Sequence, residues 1–346
     1  MFSGRRPLAV GLVILATIGY VIFHTKTHDA EALRAATEYL LAGRTHWITF
    51  QNRLLSAWII EGVRVTLGAS WVHAFWSLVA ATMAGGAFVL LWRSWRDTGS
   101  SRRGLIQGGV CFLLAVLFNH FWSYPWDFTG ALLFLLLIAW AEDNFKRLSD
   151  MRSGYLAGLL ILLAANRESS LIIILSLVAT VAIGGFYEKR LRTAAVTVAV
   201  LGFAGVVNVM GVVWVRTTLF VSSTRPAGVD GPETEIGNFL QLRANWLIFK
   251  SMFHDWYSFA ATVVTAGLAI LSLIMLRSII RDFLGPRELP LGRIFTYSIF
   301  GLGALVIPVF GYASELRVYF EHIPLIVLLL IPASIKSRKK TSYLDS

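Results

Sequence analysis

The sequence predicts an all-α, polytopic integral membrane protein with about ten transmembrane helices, and composition is the first basis of that prediction. Of the 346 residues, 56% are hydrophobic and only 15% are charged, and the mean hydropathy is +0.66. A soluble domain carries nearer a quarter charged residues. The apolar runs are spread along the whole chain, which excludes a soluble enzyme with one membrane tail.

Ten apolar segments approach the length of about 20 residues that a helix needs to cross the hydrocarbon core. The first follows two arginines and precedes no small-residue cleavage site, so we expect an uncleaved anchor rather than a signal peptide. Two short segments, 128–141 and 154–166, are expected to be tilted, partly re-entrant or extended into their flanks. A single transmembrane domain over 1–346 is predicted, with spans at 7–23, 70–92, 104–119, 128–141, 154–166, 169–187, 193–215, 256–276, 293–312 and 321–335.

The charges of the loops predict the orientation. If the N-terminus is cytoplasmic, the inner segments hold 20 of the 31 Lys and Arg residues and 8 of the 20 Asp and Glu residues. The inner side then carries +12 and the outer side −1, as the positive-inside rule expects. An even number of spans places both termini in the cytoplasm. The net charge of +11 therefore indicates cytoplasmic loops, and no nucleic-acid partner is expected.

Two long outer loops, 24–69 and 216–255, are predicted to contain amphipathic helices. In the first, Asp29 is placed to cap a helix that runs over 30–42. Residues 53–67 form a second helix, predicted to lie in the membrane interface. Its apolar stripe is Leu55, Trp58, Ile59 and Val63, opposite Arg53, Ala57, Glu61 and Arg64. An amphipathic segment over 236–253 follows a turn-rich stretch in the second loop.

Polar clusters at the predicted outer face are the candidates for chemistry, and two of them belong to the first loop. Asp29 and Glu31 follow the first span directly, together with two histidines. A carboxylate here suits a general base or a ligand to a divalent metal, whereas Asp29 also suits a plain helix cap. Arg53 offers a planar set of donors that suits phosphate, or the headgroups of ordinary lipids.

Three more clusters stand at the ends of later spans. His120 and Asp127 bound an aromatic stretch, which suits substrate binding or an aromatic belt with a capping carboxylate. The segment Asn166-Arg167-Glu168 separates two apolar runs where Gly or Pro would be the ordinary turn residue, so a functional role is favoured. The last cluster lies before the final span, where Glu315 and Tyr319, and likewise Arg317 and Glu321, share a helix face.

Together these clusters place at least three arginines and four carboxylates on one membrane face. Such a combination suits a phosphate-bearing substrate with an acid–base or metal requirement, and Mg²⁺ or Mn²⁺ is a possible cofactor. The chain has no Walker loop, dinucleotide fingerprint, zinc-helix motif or serine nucleophile elbow. Few charges lie within the spans, which disfavours a proton-coupled transporter with a carboxylate relay.

The chain resembles the GT-C superfamily of membrane glycosyltransferases, and within it the compact bacterial members. The resemblance rests on the topology with its long first outer loop, on Arg53 within 51–55, on Asp127 at a span start, on Asn166-Arg167-Glu168, and on Glu315-Leu316-Arg317. The chain departs from the pattern where Ala30 separates Asp29 from Glu31, since many members carry adjacent acids there. The identity of the base therefore stays open among Asp29, Glu31 and Glu168.

The resemblance implies transfer of a sugar from a polyprenyl-phosphate donor to a lipid-linked or glycan acceptor, outside a bacterial inner membrane. Arg53, Arg167 or Arg317 would hold the phosphate, and Asn166, Asp127, Glu315, Tyr319 and His120 would complete the substrate site. An O-antigen or capsule polymerase or ligase that uses a polyprenyl-diphosphate substrate fits the same residues. A transporter or flippase for a lipid-linked glycan and a non-catalytic subunit of an envelope complex are the alternatives from other classes.

Overall fold

The structure, a computed structural model, describes residues 5–43, 53–118, 124–147, 154–166, 170–219, 246–247, 249–284, 291–310 and 322–330. These residues are almost all helical, and no strand occurs among them. The helices of eight or more residues are α1 (Arg5–Thr27), α2 (Ala30–Leu41), α3 (Leu54–Leu67), α4 (Trp71–Thr98), α5 (Arg102–Phe118), α6 (Pro125–Asn144), α7 (Gly154–Asn166), α8 (Ser170–Tyr187), α9 (Leu191–Leu219), α10 (Trp256–Leu284), α11 (Leu291–Phe310) and α12 (Ile323–Leu330).

The predicted all-α membrane character is confirmed at the level of helix length and composition. In the described part of the chain, five helices are long and apolar enough to cross a bilayer. They cover Arg6–Thr27, Trp71–Thr98, Pro125–Asn144, Ser170–Tyr187 and Leu191–Val215. Two shorter apolar helices are Gly154–Asn166 and Thr262–Ser278. The total of ten spans stays a prediction.

Helix α6 is longer than the predicted span 128–141, and this short segment is extended into its flanks, one of the alternatives predicted for it. Its 20 residues extend over about 30 Å, the thickness of a hydrocarbon core. The helix includes Asp127 in its first turn and Glu142 and Asp143 in its last, residues that the apolar pattern had placed outside it. Asp127 belongs to the helix because it accepts from the N-cap backbone of α6, and Glu142 and Asp143 belong to it because they pair with Arg93 and Arg96 of α4.

The centre of the molecule is α6, which contacts α3, α4, α7, α11 and α12. Thirteen of its 20 residues are buried, among them Phe128 and Phe134. A helix that is apolar all round is expected to be buried, and most of α6 is buried by the surrounding helices. Helix α9 differs from α6 because it is largely exposed. Only 6% of its most apolar stretch is buried.

Glycines allow two of the closest helix contacts. A Cβ atom on Gly104 of α5 would lie 2.7 Å from Leu91 Cα and 2.9 Å from Leu90 O of α4. A Cβ atom on Gly292 of α11 would clash with the Ala141 carbonyl, and the Gly292 N–H donates to Phe145 O at 2.9 Å. Small residues at such crossings let helix backbones approach closely, as membrane bundles require.

The packing face of α3 differs from the predicted apolar stripe. Arg53, Ser56, Ala57 and Ile60 are buried against the bundle, whereas Trp58 and Ile59 are exposed. The small Ser56 and Ala57 side chains let α3 approach α6, which large apolar residues would prevent. The exposed Trp58 is compatible with a helix that turns this side to lipid. Most of the predicted amphipathic segment 236–253 lies outside the described residues.

The bundle has two ends, named here by a residue at each. At the Trp126 end, the His24 ring near the end of α1 lies 4.9 Å from the Trp76 ring of α4 and 5.3 Å from Phe128 of α6. At the Arg93 end, α4 and α6 are joined by an ion pair between Arg93 and Glu142, at 2.5 Å. Helices α4 and α6 are thus parallel to each other and antiparallel to α1, the alternation that consecutive spans predict.

Candidate functional site

A group of polar and aromatic residues meets at the Trp126 end, where α3 and α6 begin and α7 ends. We call these residues the Trp126 cluster, and they are Arg53, Ser56, Trp126, Asp127, Thr129 and Asn166. Three of them, Arg53, Asp127 and Asn166, are predicted site residues from separate parts of the chain. Arg53 and Asn166 both contact Trp126 where α3 and α7 pack on α6, and Asp127 is the next residue of α6.

Arg53 is held against an indole ring. Its Cζ atom lies 5.6 Å from the centre of the Trp126 ring, and Tyr124 stacks on the same indole at 4.6 Å. Arg53 is only 8% exposed, although it carries a permanent positive charge. A guanidinium over an aromatic face gains more from the ring when water is excluded. The geometry therefore places a cation in a sheltered site at the end of an apolar bundle.

Asp127 occupies the first turn of α6 and is 1% exposed. Its Oδ2 atom accepts a hydrogen bond from the Tyr124 backbone N–H at 3.0 Å. Pro125 begins the helix, where a missing N–H costs nothing because the first-turn N–H groups have no partner inside the helix. This sequence thus forms a helix start that fixes the carboxylate, and its predicted role toward a substrate stays a prediction.

Asn166 ties the end of α7 to both neighbouring helices. Its Nδ2 atom donates to the Trp126 carbonyl at 2.9 Å, and its Oδ1 atom lies 3.1 Å from Ser56 Oγ. Ser56 Oγ also lies 2.8 Å from Thr129 Oγ1, which donates to the Pro125 carbonyl at 3.2 Å. All these side chains are buried, so each bond matters, because an unsatisfied polar group there is costly. Ser56 and Thr129 are the functional candidates that the sequence did not single out, since a hydroxyl inside an apolar helix carries no signal of its partner.

Hydrogen bonds also hold the start of α8. Asn208 of α9 donates through its Nδ2 atom to Ser170 Oγ at 3.2 Å, and Ser170 is 1% exposed. Asn166 and Ser170 stand on either side of the predicted site residues Arg167 and Glu168. Both flanking positions are therefore anchored by buried polar contacts on different helices. Arg167 and Glu168 lie outside the described residues, as do His120, Glu315, Arg317 and Tyr319.

Asp29 and Glu31 lie apart from the Trp126 cluster. The Asp29 Oδ1 atom accepts hydrogen bonds from the backbone N–H groups of Glu31 at 2.9 Å and Ala32 at 3.2 Å, so Asp29 is the N-cap of α2. Leu40, near the other end of α2, packs with Trp126. The helix separates these positions by roughly 16 Å along its axis. Both carboxylates are exposed, and the structure does not bring them to the cluster.

Two histidines beside these acids form a buried stack. The rings of His24 and His28 lie 3.7 Å apart and nearly parallel. His24 is fully buried among aromatic side chains, and neither of its ring nitrogens has a hydrogen-bond partner within the described part of the chain. Over those residues, no three His, Cys, Asp or Glu side chains converge in a way that would hold a metal ion. The metal requirement that the sequence left open stays a prediction.

Comparison with protein-family models, with functionally described proteins and with solved structures found no match to this chain.

Proposed function

We propose that the protein is a membrane glycosyltransferase that moves a sugar from a polyprenyl-phosphate donor to a lipid-linked or glycan acceptor. The observation that carries the proposal is the Trp126 cluster. It joins a sheltered guanidinium, a carboxylate and a hydrogen-bonded amide at one end of an apolar helical bundle. An amphiphilic substrate with a phosphate head matches that combination, because its chain dissolves in the bilayer beside the bundle.

In the proposed reaction, Arg53 binds the donor phosphate through charge-assisted hydrogen bonds. The acceptor hydroxyl oxygen attacks the anomeric carbon while a carboxylate takes its proton. The bond between that carbon and the phosphate oxygen breaks, and polyprenyl phosphate leaves with both electrons of the bond. Direct displacement inverts the anomeric configuration. Arginine neutralises the charge that develops on the leaving phosphate, the kind of stabilisation that dominates many enzymes.

We assign the base to Glu168 in preference to Asp29 and Glu31. Glu168 follows Asn166 by two residues, and Asn166 is hydrogen-bonded within the cluster. Asp29 is occupied as a helix cap and lies away from Arg53. Arg167 is adjacent to Glu168 and supplies a second cation for the phosphate. Asp127 is the carboxylate of the Trp126 cluster and serves to orient the acceptor.

The proposed setting is a GT-C-like fold of ten spans in a bacterial inner membrane. The Trp126 end faces the periplasm and both termini are cytoplasmic. The support is the concentration of Lys and Arg in the predicted inner loops, where 20 of the 31 lie. Periplasmic reactions have no nucleotide-sugar supply, which agrees with the absence of nucleotide-binding motifs from the sequence.

A transfer assay with matched variants tests the proposal. Purified protein is given radiolabelled polyprenyl-phosphate sugars and a lipid and glycan acceptor extract. Arg53→Ala is expected to lower turnover by about 100-fold or more, because it removes a phosphate-neutralising donor. Arg64→Ala is the matched control on the same helix. Arg64 is exposed and ion-paired with Glu61, whose pKa it lowers by hydrogen bonding.

Glu168→Gln and Asp29→Asn then distinguish the two bases. Loss of transfer in folded Glu168→Gln with retention in Asp29→Asn supports the assignment, and the reverse result would move the base to Asp29. Turnover of polyprenyl-diphosphate glycans alone would indicate a polymerase or ligase instead. Movement of a lipid-linked glycan across the vesicle membrane, without transfer of a sugar, would indicate a flippase.

A further inference from the structure

A cavity of about 640 Å³ lies at the Arg93 end, away from the Trp126 cluster. It is a cleft between α4 and α6, with Tyr155 of α7 at its side. Its volume is that of sites that bind small organic ligands, roughly 300–1,000 Å³. The proposed transfer reaction makes no use of this cleft.

The chemistry of the cleft changes along its length. Phe88, Val89 and Leu136 line its apolar part, and Arg96 and Asp143 line its charged rim. Residues 88 and 96 of α4 are about 12 Å apart along the helix axis. Three tryptophans, Trp92, Trp95 and Trp140, lie between or beside these parts. Indole rings favour the membrane interface, so the charged rim lies at headgroup depth when α4 and α6 span the bilayer.

The rim offers both hydrogen-bond donors and acceptors. Arg96 makes two bonds to Asp143, at 2.6 and 2.7 Å, and its side chain is still 42% exposed. The Arg93 side chain, only 9% exposed, pairs with Glu142, and its Nη1 atom has no hydrogen-bond partner among the described residues. A buried donor without an acceptor is costly, and a phosphate oxygen is a suitable acceptor.

The charges at the rim are mixed. Among the residues that line the cleft, Asp143 pairs with Arg93 and Arg96. Outside the lining, Glu142 pairs with Arg93 and Asp97 pairs with Arg96, and Arg103 lies close enough to interact with them. A site of mixed sign favours a headgroup that carries both charges over a purely anionic one. A primary ammonium group donates three hydrogen bonds to carboxylates and also interacts with indole faces.

We propose that this cleft binds a zwitterionic phospholipid with a primary amine, such as phosphatidylethanolamine. The acyl chains lie along Phe88, Val89 and Leu136. The phosphate contacts the two arginines, and the ammonium group contacts Asp143. The proposal rests on the cleft and on membrane insertion, and it does not depend on the transfer activity.

Native mass spectrometry of the full chain in detergent tests this site. Phosphatidylethanolamine, phosphatidylcholine and phosphatidylglycerol with identical chains are titrated separately. We expect at least tenfold tighter binding of phosphatidylethanolamine, because the choline group has no N–H donor and the glycerol headgroup has no cation. Asp143→Asn is expected to remove most of the preference over phosphatidylcholine.

A cleft-filling variant locates the binding. Ala139 lines the cleft, and Ala139→Phe is expected to lower phosphatidylethanolamine affinity at least tenfold. Leu117→Phe, at an exposed position of α5, is the matched control and should bind as the unmodified protein does. Val89→Phe fills the cleft from the facing helix and replaces Ala139→Phe if that variant does not fold.

Equal affinity for the three lipids would overturn the proposal. Unchanged binding in a folded cleft-filling variant would do the same, because the lipid would then lie elsewhere. Preference for phosphatidylglycerol would also contradict it and would indicate an anionic lipid. Because the measurement is binding, a failed transfer assay leaves this result unaffected, and the two proposals fail separately.

Discussion

The Asn166 side chain joins three helices through two atoms. Its amide donates to the Trp126 carbonyl of α6 and lies within hydrogen-bond distance of Ser56 on α3. We expect Asn166→Leu to destabilise the protein by about 1–3 kcal/mol, because it removes two buried hydrogen bonds, the one to the Trp126 carbonyl and the one from Ser56. Denaturant unfolding in mixed micelles measures the change. Thr197→Val, at a half-buried position of α9, is the control, and equal stability of the two variants would contradict the prediction.

Asp29 has a structural role that a mutation can separate from catalysis. Its carboxylate caps α2, so Asp29→Ala should cost about 1 kcal/mol of stability. Asparagine caps helices about as well as aspartate, so Asp29→Asn should keep the stability while removing any general base. Thermal unfolding followed by circular dichroism measures the first effect and the transfer assay the second. A folded, stable Asp29→Asn variant without transfer would show that Asp29 is the base after all.

At the scale of elements, the distance between α4 and α5 depends on Gly104. A methyl group there would meet the backbone of Leu90 and Leu91, which cannot rotate away. We expect Gly104→Ala to destabilise the protein by about 1–3 kcal/mol through overpacking, despite the better helix propensity of alanine. Gly109→Ala on the same helix is the matched control, since its Cβ meets nothing within 4 Å. A higher melting temperature for Gly104→Ala than for the control would contradict the close contact.

The whole molecule is expected to expose its two ends on opposite sides of a membrane. Lys26 lies at the Trp126 end and Ser100 at the Arg93 end, and both are exposed. In a Cys111→Ser background, Lys26→Cys should react with an impermeant maleimide on intact cells. Ser100→Cys should react only after permeabilisation. The reverse pattern would invert the proposed orientation, and reaction of both variants on one side would contradict a spanning bundle.

Much of the local structure was predictable from the sequence. The Asp29 cap and α2 follow from a good N-cap residue ahead of a helix-forming stretch. Five of the predicted spans match helices long and apolar enough to cross a bilayer, since apolar length is a local property. The ends of α6 and the packing face of α3 were not predictable in this way. The C-terminal end of α6 and the packing face of α3 depend on partners from neighbouring helices, Arg93 for Glu142 and Thr129 for Ser56.

The sequence predicted some of the residues of the candidate site, but it did not predict that they meet. Arg53, Asp127 and Asn166 were singled out because polar groups at the ends of apolar spans need an explanation. Their meeting at Trp126 depends on the packing of three helices that are far apart in the chain. Asp29 and Glu31 were singled out by the same reasoning, yet they lie at the far end of α2 from Leu40 and Trp126. Sequence position alone does not show that the first three residues meet at Trp126 and that Asp29 and Glu31 do not.

The sequence by itself determined the helical class, the apolar character, the positions of most helices and the separation of charge along the chain. Each of these depends on composition or on contacts within a few residues. Only the tertiary structure decided that Ser56 and Thr129 are hydrogen-bonded within the Trp126 cluster and that Gly104 lies against α4. It also decided that a cleft lies between α4 and α6 at the Arg93 end. The physical reason is that a buried polar atom or a void is defined by atoms from several helices, and no one helix encodes where its neighbours will lie.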